Sequence, residues 1–368
     1  MLKKIIVLVG GAVLLSGCTI TVPGTTPVVD TGTPNAFNQK VQAGSMWKST
    51  DGGQTFSVKS RVDEKQSITK ADVLALSFHP TDYATLYFGT VDNGIFKTVD
   101  SGETWQQIVF PPKKIYSFIL DKNDPDKRMF ASGMLNNVGK IFRTDDGGEN
   151  WRAVYTEPVA EVVITLLAQH PRDINVLFAG TSAGTVVKST DGGETWKNVG
   201  NSLSGPITEI VFDAVKPLSL YALSFNSKVY YSEDGGVVWV EPESDRTDQA
   251  SSEVVTPGPL LALVADPSIS GRVYGSKSGG LYRSNNFAKD WEKLNIIESA
   301  EKSPVRAIAI NPQNSNEIVF VAGKAFYKSK NGGETWSVVD LYIDRSASVL
   351  MYDPNNPLTL YLALRKTN

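Results

Sequence analysis

Apolar residues occur along most of the chain in short runs separated by polar turns, and the runs come in groups of four. The group that shows this best consists of Val73–Phe78, Thr85–Gly89, Gly94–Thr98 and a short fourth run that starts near Trp105. Short runs of this kind, bounded by Pro, Gly and Asp, predict β-strands joined by tight turns. Each group therefore predicts a four-stranded antiparallel meander.

Two landmarks define the interval at which the meanders repeat. The first is an octapeptide related to STDGGETW, whose third residue is Asp51, Asp100, Asp146, Asp191, Asp234, Asn286 or Asn331. The second is an X-Pro turn after the first run of each group, at Pro80, Pro125, Pro171, Pro217, Pro267, Pro312 and Pro354. Seven octapeptides spaced 43–52 residues apart predict an all-β fold, a seven-bladed β-propeller of four-stranded antiparallel blades.

The two ends of the repeat region each hold half a blade. No first or second strand precedes the octapeptide at 49–56, and no octapeptide follows the last apolar pair at 349–364. We expect Ser45–Ser60 to supply the two outer strands of one blade and Ser348–Arg365 its two inner strands. Joining the ends in one sheet closes the ring and leaves no open edge there.

The octapeptide has the composition of a structural turn. Its hydroxyl and carboxylate, two residues apart, can accept backbone N–H bonds within a hairpin, and its second glycine, such as Gly193, can take a positive φ. The pattern lacks the ligand set of a calcium loop and the closely paired carboxylates of a glycosidase. In the repeat at 284–291, Asn286 and Ala288 replace Asp and Gly, which predicts a looser turn. The last position holds Phe56, Trp105, Trp151, Trp196, Trp239, Trp291 and Trp336.

The pattern S/T-x-D-x-G-x-x-W resembles the Asp-box (BNR) repeat over nearly all of residues 45–368. The resemblance implies the propeller fold, with the octapeptide acids and tryptophans as structural residues. It implies no single function, because such repeats occur in sialidases, xyloglucanases, sortilin-type receptors and photosystem II assembly factors.

The N-terminal residues predict an export signal and a lipid anchor. Two lysines precede an apolar run, Ile5 to Leu15, that is too short to span a bilayer as a helix. Leu15-Ser16-Gly17-Cys18 resembles the lipobox of bacterial lipoproteins, which implies cleavage before Cys18 and its acylation; an ordinary secretory signal is the alternative. The predicted domains are a signal at 1–18, a Thr/Pro-rich tether at 19–44 and a monomeric propeller at 45–368. We expect the propeller to face outward from the cytoplasmic membrane, in an extracellular or periplasmic space.

Charge and residue counts exclude several chemistries. A formal net charge of −3 offers no basic surface for nucleic acid. One cysteine and two histidines exclude an internal disulfide, a Ser-His-Asp triad and a histidine-rich metal site, and we predict no cofactor and no metal. His79 and His170 are predicted turn residues, because each precedes the proline of an X-Pro turn. The same position is assigned to Asp124, Asp266, Asn311 and Asp353 in other repeats.

Function is expected on the face of the ring opposite the octapeptides. Strand direction alternates, so the links from second to third strand and from blade to blade share that face, where loops vary on a rigid scaffold. Its longest insertion, 241–259, is predicted to be a solvated loop or a loop that contacts a partner. The candidate binding residues are Asp92, Asn93, Asn136, Asn137, Lys113, Lys114, Glu157, Arg246 and Arg345.

Two functions remain open. We predict a non-catalytic, membrane-anchored scaffold that binds a protein or glycan at this face, since a lipobox and a single propeller resemble the photosystem II assembly factor group. The alternative is a glycoside hydrolase. The strand sequences resemble those of xyloglucanases, and the resemblance of 90–97 to one of their loops would make Asp92 catalytic, but those enzymes take a second aspartate from a second propeller. A sialidase is less favoured, because the chain lacks the Arg-Ile-Pro signature of that family.

Overall fold

Every strand of the described chain belongs to an antiparallel sheet, and the described residues contain no helix. A computed structural model describes residues 41–62, 67–112, 114–226, 228–242, 260–277, 280–297 and 303–366. The strands are β1 (Met46–Ser49), β2 (Ser57–Val58), β3 (Val73–Phe78), β4 (Leu86–Thr90), β5 (Ile95–Thr98), β6 (Gln106–Ile108), β7 (Ser117–Leu120), β8 (Met129–Leu135), β9 (Val138–Thr144), β10 (Arg152–Thr156), β11 (Ile164–Gln169), β12 (Leu177–Thr181), β13 (Val186–Ser189), β14 (Lys197–Val199), β15 (Ile207–Phe212), β16 (Leu220–Ser224), β17 (Val229–Ser232), β18 (Ala262–Ala265), β19 (Val273–Lys277), β20 (Gly280–Ser284), β21 (Glu292–Leu294), β22 (Val305–Ile310), β23 (Ile318–Ala322), β24 (Ala325–Ser329), β25 (Ser337–Asp340), β26 (Ser346–Tyr352) and β27 (Leu360–Arg365).

The strands form seven sheets, which are the blades of a propeller. Blades 1 to 6 consist of β3–β6, β7–β10, β11–β14, β15–β17, β18–β21 and β22–β25, and blade 7 of β26, β27, β1 and β2. The predicted seven-bladed, all-β architecture is confirmed. Blade 4 departs from the predicted four strands: its described residues form three, and a single bridge between Tyr231 and Val240 stands where the fourth strand would pair.

The hydrophobic core is divided into seven clusters, one between each pair of neighbouring blades. Between blades 7 and 1, for example, Trp105 packs edge-on against Phe88 at a centroid distance of 4.6 Å and lies in one cluster with Tyr361. The Trp105 indole N–H also donates to the Lys59 carbonyl of blade 7 across 2.8 Å. Each blade therefore buries both of its faces against neighbours, as sheets in a propeller must.

The octapeptide forms the same hydrogen-bonded turn in all seven repeats. In blade 3, Ser189 Oγ donates to Asp191 Oδ1 (2.8 Å) and accepts from Gly193 N (2.9 Å), and Asp191 Oδ1 accepts from Thr195 N (2.9 Å). These bonds, of which the largest contribution is that of the Thr195 hydroxyl, lower the pKa of Asp191 to about 2. A backbone N–H of each octapeptide donates to a carbonyl of the first turn in the same blade, as Gly192 does to Asn175 across 2.9 Å.

The turn at 284–291 keeps this geometry, so the prediction of a looser turn is wrong. Ser284 Oγ accepts from Ala288 N across 3.0 Å, and Asn286 Oδ1 accepts from Asp290 N across 2.9 Å. Phe287 and Ala288 take φ values of 60° and 63°, in the left-handed region that the usual glycines adopt without strain. Ser101 takes a φ of 59° at the position equivalent to Phe287, so this repeat differs from the others by the added strain at Ala288, where the other repeats have glycine, rather than by lost hydrogen bonds.

The first turn of each blade carries a side chain that accepts backbone N–H bonds from residues two or three positions on. His170 Nδ1 accepts from Asp173 N across 2.8 Å, and Asp213 Oδ1 accepts from Lys216 N at the same distance. Both histidines are turn residues of this kind. In blade 2 the equivalent residue is Asp121, whose Oδ1 accepts from Asn123 N across 2.9 Å. The assignment of Asp124 to this position is wrong, because the turn of blade 2 is longer and its proline lies further along the chain.

The ring closes in blade 7, where the N-terminal strand β1 pairs with the C-terminal strand β27. Met46 lies opposite Ala363 and Ser49 opposite Leu360 in this antiparallel pair. The predicted sharing of one blade by the two chain ends is confirmed.

Arg345 reinforces this closure and is not a free loop side chain, which corrects its prediction as a binding residue. Its guanidinium donates to the carbonyls of Gly44 (3.0 Å), Thr69 (2.6 Å) and Ala71 (2.8 Å), and its side chain is only 11% exposed. Asp72 lies 3.3 Å from the same guanidinium. One side chain thus connects the start of β26 to the residues before β1 and before β3.

We expect Arg345→Ala to lower the free energy of unfolding of residues 41–368 by about 3 kcal/mol, because it leaves several buried carbonyls and Asp72 without a partner. The free energy of unfolding of Arg345→Lys should lie between those of the wild type and Arg345→Ala, since an ammonium group cannot reach the same set of acceptors. Urea unfolding followed by tryptophan fluorescence measures both values.

The matched control is Arg172→Ala, which removes an exposed arginine whose bonds to Ala214 and Val215 carbonyls are 3.4 and 3.2 Å long. A loss no larger for Arg345→Ala than for Arg172→Ala would contradict the closing role of Arg345.

Candidate binding site in the central channel

A β-bulge near the start of the innermost strand determines which side chains face the centre of the ring. In blade 4 the pairing of β15 with β16 shifts between Ile207 and Glu209, and the same shift occurs in blades 1, 3, 6 and 7. Two successive residues of the strand, here Thr208 and Glu209, then line the channel, while Ile207 is buried between blades.

The seven innermost strands enclose a central channel with a cavity of about 290 Å³. The innermost strands run toward the box-bearing face, so their early residues lie nearer the opposite face, which we call the loop face. The ring of side chains nearer the loop face is Leu74, Tyr116, Thr165, Thr208, Arg306 and Ser348. The next ring is Ala75, Ser117, Leu166, Glu209, Ala262, Ala307 and Val349.

Among the described residues that line the channel, Glu209 carries the one carboxyl group. It accepts a hydrogen bond from the backbone N–H of Leu263 in blade 5, with 2.5 Å between nitrogen and oxygen. Water can enter the channel, but protein surrounds the carboxyl, and this desolvation raises the pKa of Glu209 to about 8. The group is therefore protonated at neutral pH and can both donate and accept a hydrogen bond.

Arg306 and Ser348 occupy equivalent positions of adjacent blades, 6 and 7. Arg306 Nε and Ser348 Oγ are buried, and no described residue gives either atom a hydrogen-bond partner. Arg365, at the end of β27, lies near Arg306: burial and then the repulsion between the two guanidinium groups lower the pKa of Arg365. This side of the channel is therefore electropositive at its loop-face end.

Most of the predicted binding residues do not reach the channel. Asp92 and Asn93 form the exposed turn between β4 and β5, where Asn93 N donates to Thr90 Oγ1. Asn136 and Asn137 are the two-residue turn between β8 and β9, with φ values of 55° and 62°, as a tight hairpin of this length requires.

Glu157 and Lys114 have more defined surroundings. Glu157 is buried and accepts a hydrogen bond from the Tyr155 hydroxyl across 3.1 Å, so it is not a free binding residue as predicted. Lys114 is exposed, and its Nζ lies 4.7 Å from the ring centre of the channel residue Tyr116, which places it at the channel mouth. Lys113, Arg246 and Cys18 lie outside the described residues.

The described part of the chain contains no group of three or more His, Cys, Asp or Glu side chains that could hold a metal ion. It also contains no helix long and apolar enough to cross a membrane.

The polar channel residues are absent from the sequence-based candidates, although the sequence holds a signal for them. Glu209 and Arg306 each interrupt an apolar first strand, within ITEIVF and VRAIAI. A charged residue in the innermost strand of a propeller has only the channel to face. Recognising it requires the position of the bulge, which the apolar pattern does not give.

Comparison with known proteins places the chain in a family. The model of the DUF6242 beta propeller domain matches residues 126–344, which is more than half of the chain. The chain belongs to this family. A second model, Sortilin-Vps10 (sortilin, neurotensin receptor 3), matches residues 44–156.

Individual relatives come from different classes of protein. Xyloglucanase Xgh74A of Acetivibrio thermocellus is 23% identical over 311 residues, which is 70% of this chain and 37% of the enzyme. The chain thus spans little more than a third of that curated relative. The structure of the Niastella koreensis GH74 enzyme matches with a TM-score of 0.63 at 16% identity, covering 80% of this chain and 51% of that one. YCF48 bound to D1 peptide matches with a TM-score of 0.61 at 18% identity, covering 81% of this chain and 94% of that one. At these identities the structural matches establish the shared fold.

We expect the stability of residues 41–368 to fall as pH rises from about 5 to about 9, because folded Glu209 holds its proton up to a pKa of about 8 while the unfolded group loses it near 4.5. Glu209→Gln removes this dependence. At about pH 5 the two proteins should unfold alike, and at about pH 9 the variant should be more stable by roughly 2–4 kcal/mol. Urea unfolding across this pH range provides the comparison.

Asp92→Asn serves as the control, since it removes an exposed carboxylate. Parallel pH profiles for the wild type and Glu209→Gln would show that Glu209 is not held in its neutral form.

Proposed function

We propose that the protein is a non-catalytic scaffold, held at the outer side of a membrane by lipid on Cys18, that binds a protein or glycan at the loop face. The proposal depends most on how the carboxylates of this face are engaged. A hydrolase that inverts configuration needs two available carboxyl groups about 6.5–9.5 Å apart on either side of the scissile bond. The turn between β4 and β5 that carries Asp92 reads Val91-Asp92-Asn93-Gly94 and supplies one carboxyl group.

Three of the acids near this face form hydrogen bonds or ion pairs with other side chains of the propeller. Asp72 is paired with Arg345, Glu157 accepts from Tyr155, and Glu161 accepts from the Asn137 amide. Glu209 lies in the channel and is neutral at pH 7 because burial raises its pKa to about 8. Asp92 is an exposed acid, and its own turn supplies no second carboxyl group for hydrolysis.

A surface that binds a macromolecule is consistent with the rigid scaffold. The loop face consists of short links on seven packed blades, and binding residues on such links need little ordering when a partner docks. YCF48, which shares the fold and is covered over 94% of its chain, has been solved bound to a D1 peptide. That match supports a protein partner for the present chain.

The alternative is a glycoside hydrolase with Asp92 as one of its two acids. The observation in its favour is the 23% identity to a xyloglucanase over 70% of this chain. The described residues build one propeller, whereas this stretch is 37% of the enzyme's length. The enzyme's activity therefore remains the second candidate.

Purified residues 41–368 should release no reducing sugar from xyloglucan and no sialic acid from a sialoside, and Asp92→Ala should behave like the wild type. Reducing-end and sialic acid assays over hours at high protein concentration test this. Hydrolysis by the wild type that disappears in Asp92→Ala would establish the hydrolase instead.

The anchor is tested with the full chain in a bacterial host fed labelled palmitate. Wild type should incorporate label and partition with membranes, and Cys18→Ala should do neither, because Cys18 is the only thiol in the chain. Equal labelling of the two proteins would reject lipidation at Cys18.

A further inference from the structure

We propose that the central channel is a binding site for a small zwitterion of the α-amino-acid class, with Arg306 and Ser348 holding its carboxylate and Glu209 its ammonium group. This goes beyond the scaffold function and does not depend on which partner binds the loop face. It rests on three groups that line one cavity and on the space between them.

The position of the ligand carboxylate is inferred from hydrogen-bond donors in the channel that have no partner. Buried polar atoms in folded proteins nearly always have a partner, so one without a partner needs an explanation. Of the described buried side-chain atoms that lack a partner, only Arg306 Nε and Ser348 Oγ belong to channel-lining residues. They occupy equivalent positions on adjacent strands, and a guanidinium edge beside a hydroxyl is well suited to an oxyanion.

The ammonium end follows from Glu209. Leu263 N donates to Glu209 Oε2, and no described residue donates to Glu209 Oε1, so Oε1 can accept a hydrogen bond from a ligand. Glu209 lies in blade 4 and Arg306 in blade 6. The strand of blade 5 between them contributes only Ala262 and Val264 to the wall. Glu209 and the Arg306 guanidinium thus face the same cavity, and the small apolar side chains of blade 5 lie between them.

Size and wall chemistry select the rest of the ligand. A cavity of about 290 Å³ lies at the lower end of the range for small-molecule sites and is too small for a polysaccharide or a folded segment. Its remaining walls include Leu74, Leu166, Val349 and Leu350. A ligand with both charges and a short apolar side chain complements Arg306, Ser348, Glu209 and these apolar walls.

The test uses the full chain purified in detergent and isothermal titration with L-valine, L-leucine and L-methionine. At least one of the three should bind saturably. Arg306→Gln should weaken that binding by about tenfold or more, Ser348→Ala by less, and Glu209→Gln by about tenfold. Arg172→Gln and Asp92→Asn are the controls for loss of charge outside the channel and should bind like the wild type. If Arg306→Gln fails to fold, Ser348→Ala tests the same end of the site.

Two truncated probes separate the ends. 4-Methylpentanoate keeps the carboxylate of leucine without the amine, and its binding should respond to Arg306→Gln and not to Glu209→Gln. Isopentylamine keeps only the amine. Its binding should respond to Glu209→Gln and not to Arg306→Gln. Because an ammonium ion favours the charged form of Glu209, whose pKa is raised by burial, amino-acid affinity should rise between about pH 6 and pH 8 in the wild type and stay level in Glu209→Gln.

The proposal is overturned if none of the three amino acids binds, or if binding is the same in Arg306→Gln, Ser348→Ala and Glu209→Gln as in the wild type. Neither result bears on hydrolysis, on lipidation of Cys18 or on a loop-face partner, so the two proposals fail separately.

Discussion

The burial of both faces of every blade is the constraint on which the structure depends. Each of the seven core clusters lies between two blades, so a blade without neighbours exposes its apolar surface on both sides. Six blades are each formed by one continuous stretch of chain, but blade 7 is assembled from the two chain ends, whose residues lie about 300 positions apart in the sequence. This is why closure is doubly secured, by the β1–β27 ladder and by Arg345, whose guanidinium satisfies carbonyls that precede two different strands. If the closing contacts are lost, blade 7 separates into its two halves. The apolar surfaces of blades 6 and 1 that pack against blade 7 then become exposed to solvent.

The octapeptide solves a local problem that recurs in each blade. It fixes the outer hairpin through a hydroxyl and an amide or carboxylate oxygen, and it ties that hairpin to the first turn of the same blade. Since the oxygen is what matters, Asn286 and Asn331 replace Asp with the same hydrogen bonds. Blade 5 departs further by holding Phe287 in a left-handed conformation. The Phe287 ring lies 5.1 Å from that of Tyr231 in blade 4, so contact with the neighbouring blade offsets the strain.

The fold could be predicted from the sequence because its strands and turns repeat. The site could not, because its polar residues occur in single blades and follow no repeat. Seven repeats of strands and turns determine a propeller, and half-repeats at the two ends determine where it closes. The position of a polar side chain within a blade is a different matter. Arg345 stands in a loop in the sequence, yet it donates to carbonyls that only the assembled ring brings near. Glu157 is buried beside Tyr155, two residues earlier in the chain, and the apolar pattern does not reveal that burial. Asp124 precedes a proline as its counterparts do, but the first turn of blade 2 is one residue longer than the others, and Asp121 accepts the backbone hydrogen bond there. The channel residues depend on a one-residue bulge, which no apolar period reveals.

A repeat protein separates structure from function by comparing its own blades. What packing and turn formation require must appear in every blade, as the octapeptide hydroxyl does. The ring that holds Arg306 carries Leu74, Tyr116, Thr165, Thr208 and Ser348 in other blades, and the ring that holds Glu209 carries only small or apolar residues and one serine. Closing a propeller therefore does not need an arginine or a glutamate at these positions, since the other blades close without one. Burying each group costs solvation that packing does not return. Arg306 and Glu209 each occur in a single blade and line one cavity, and Arg306 Nε has no partner among the described residues, so we attribute both side chains to what the cavity binds rather than to the fold.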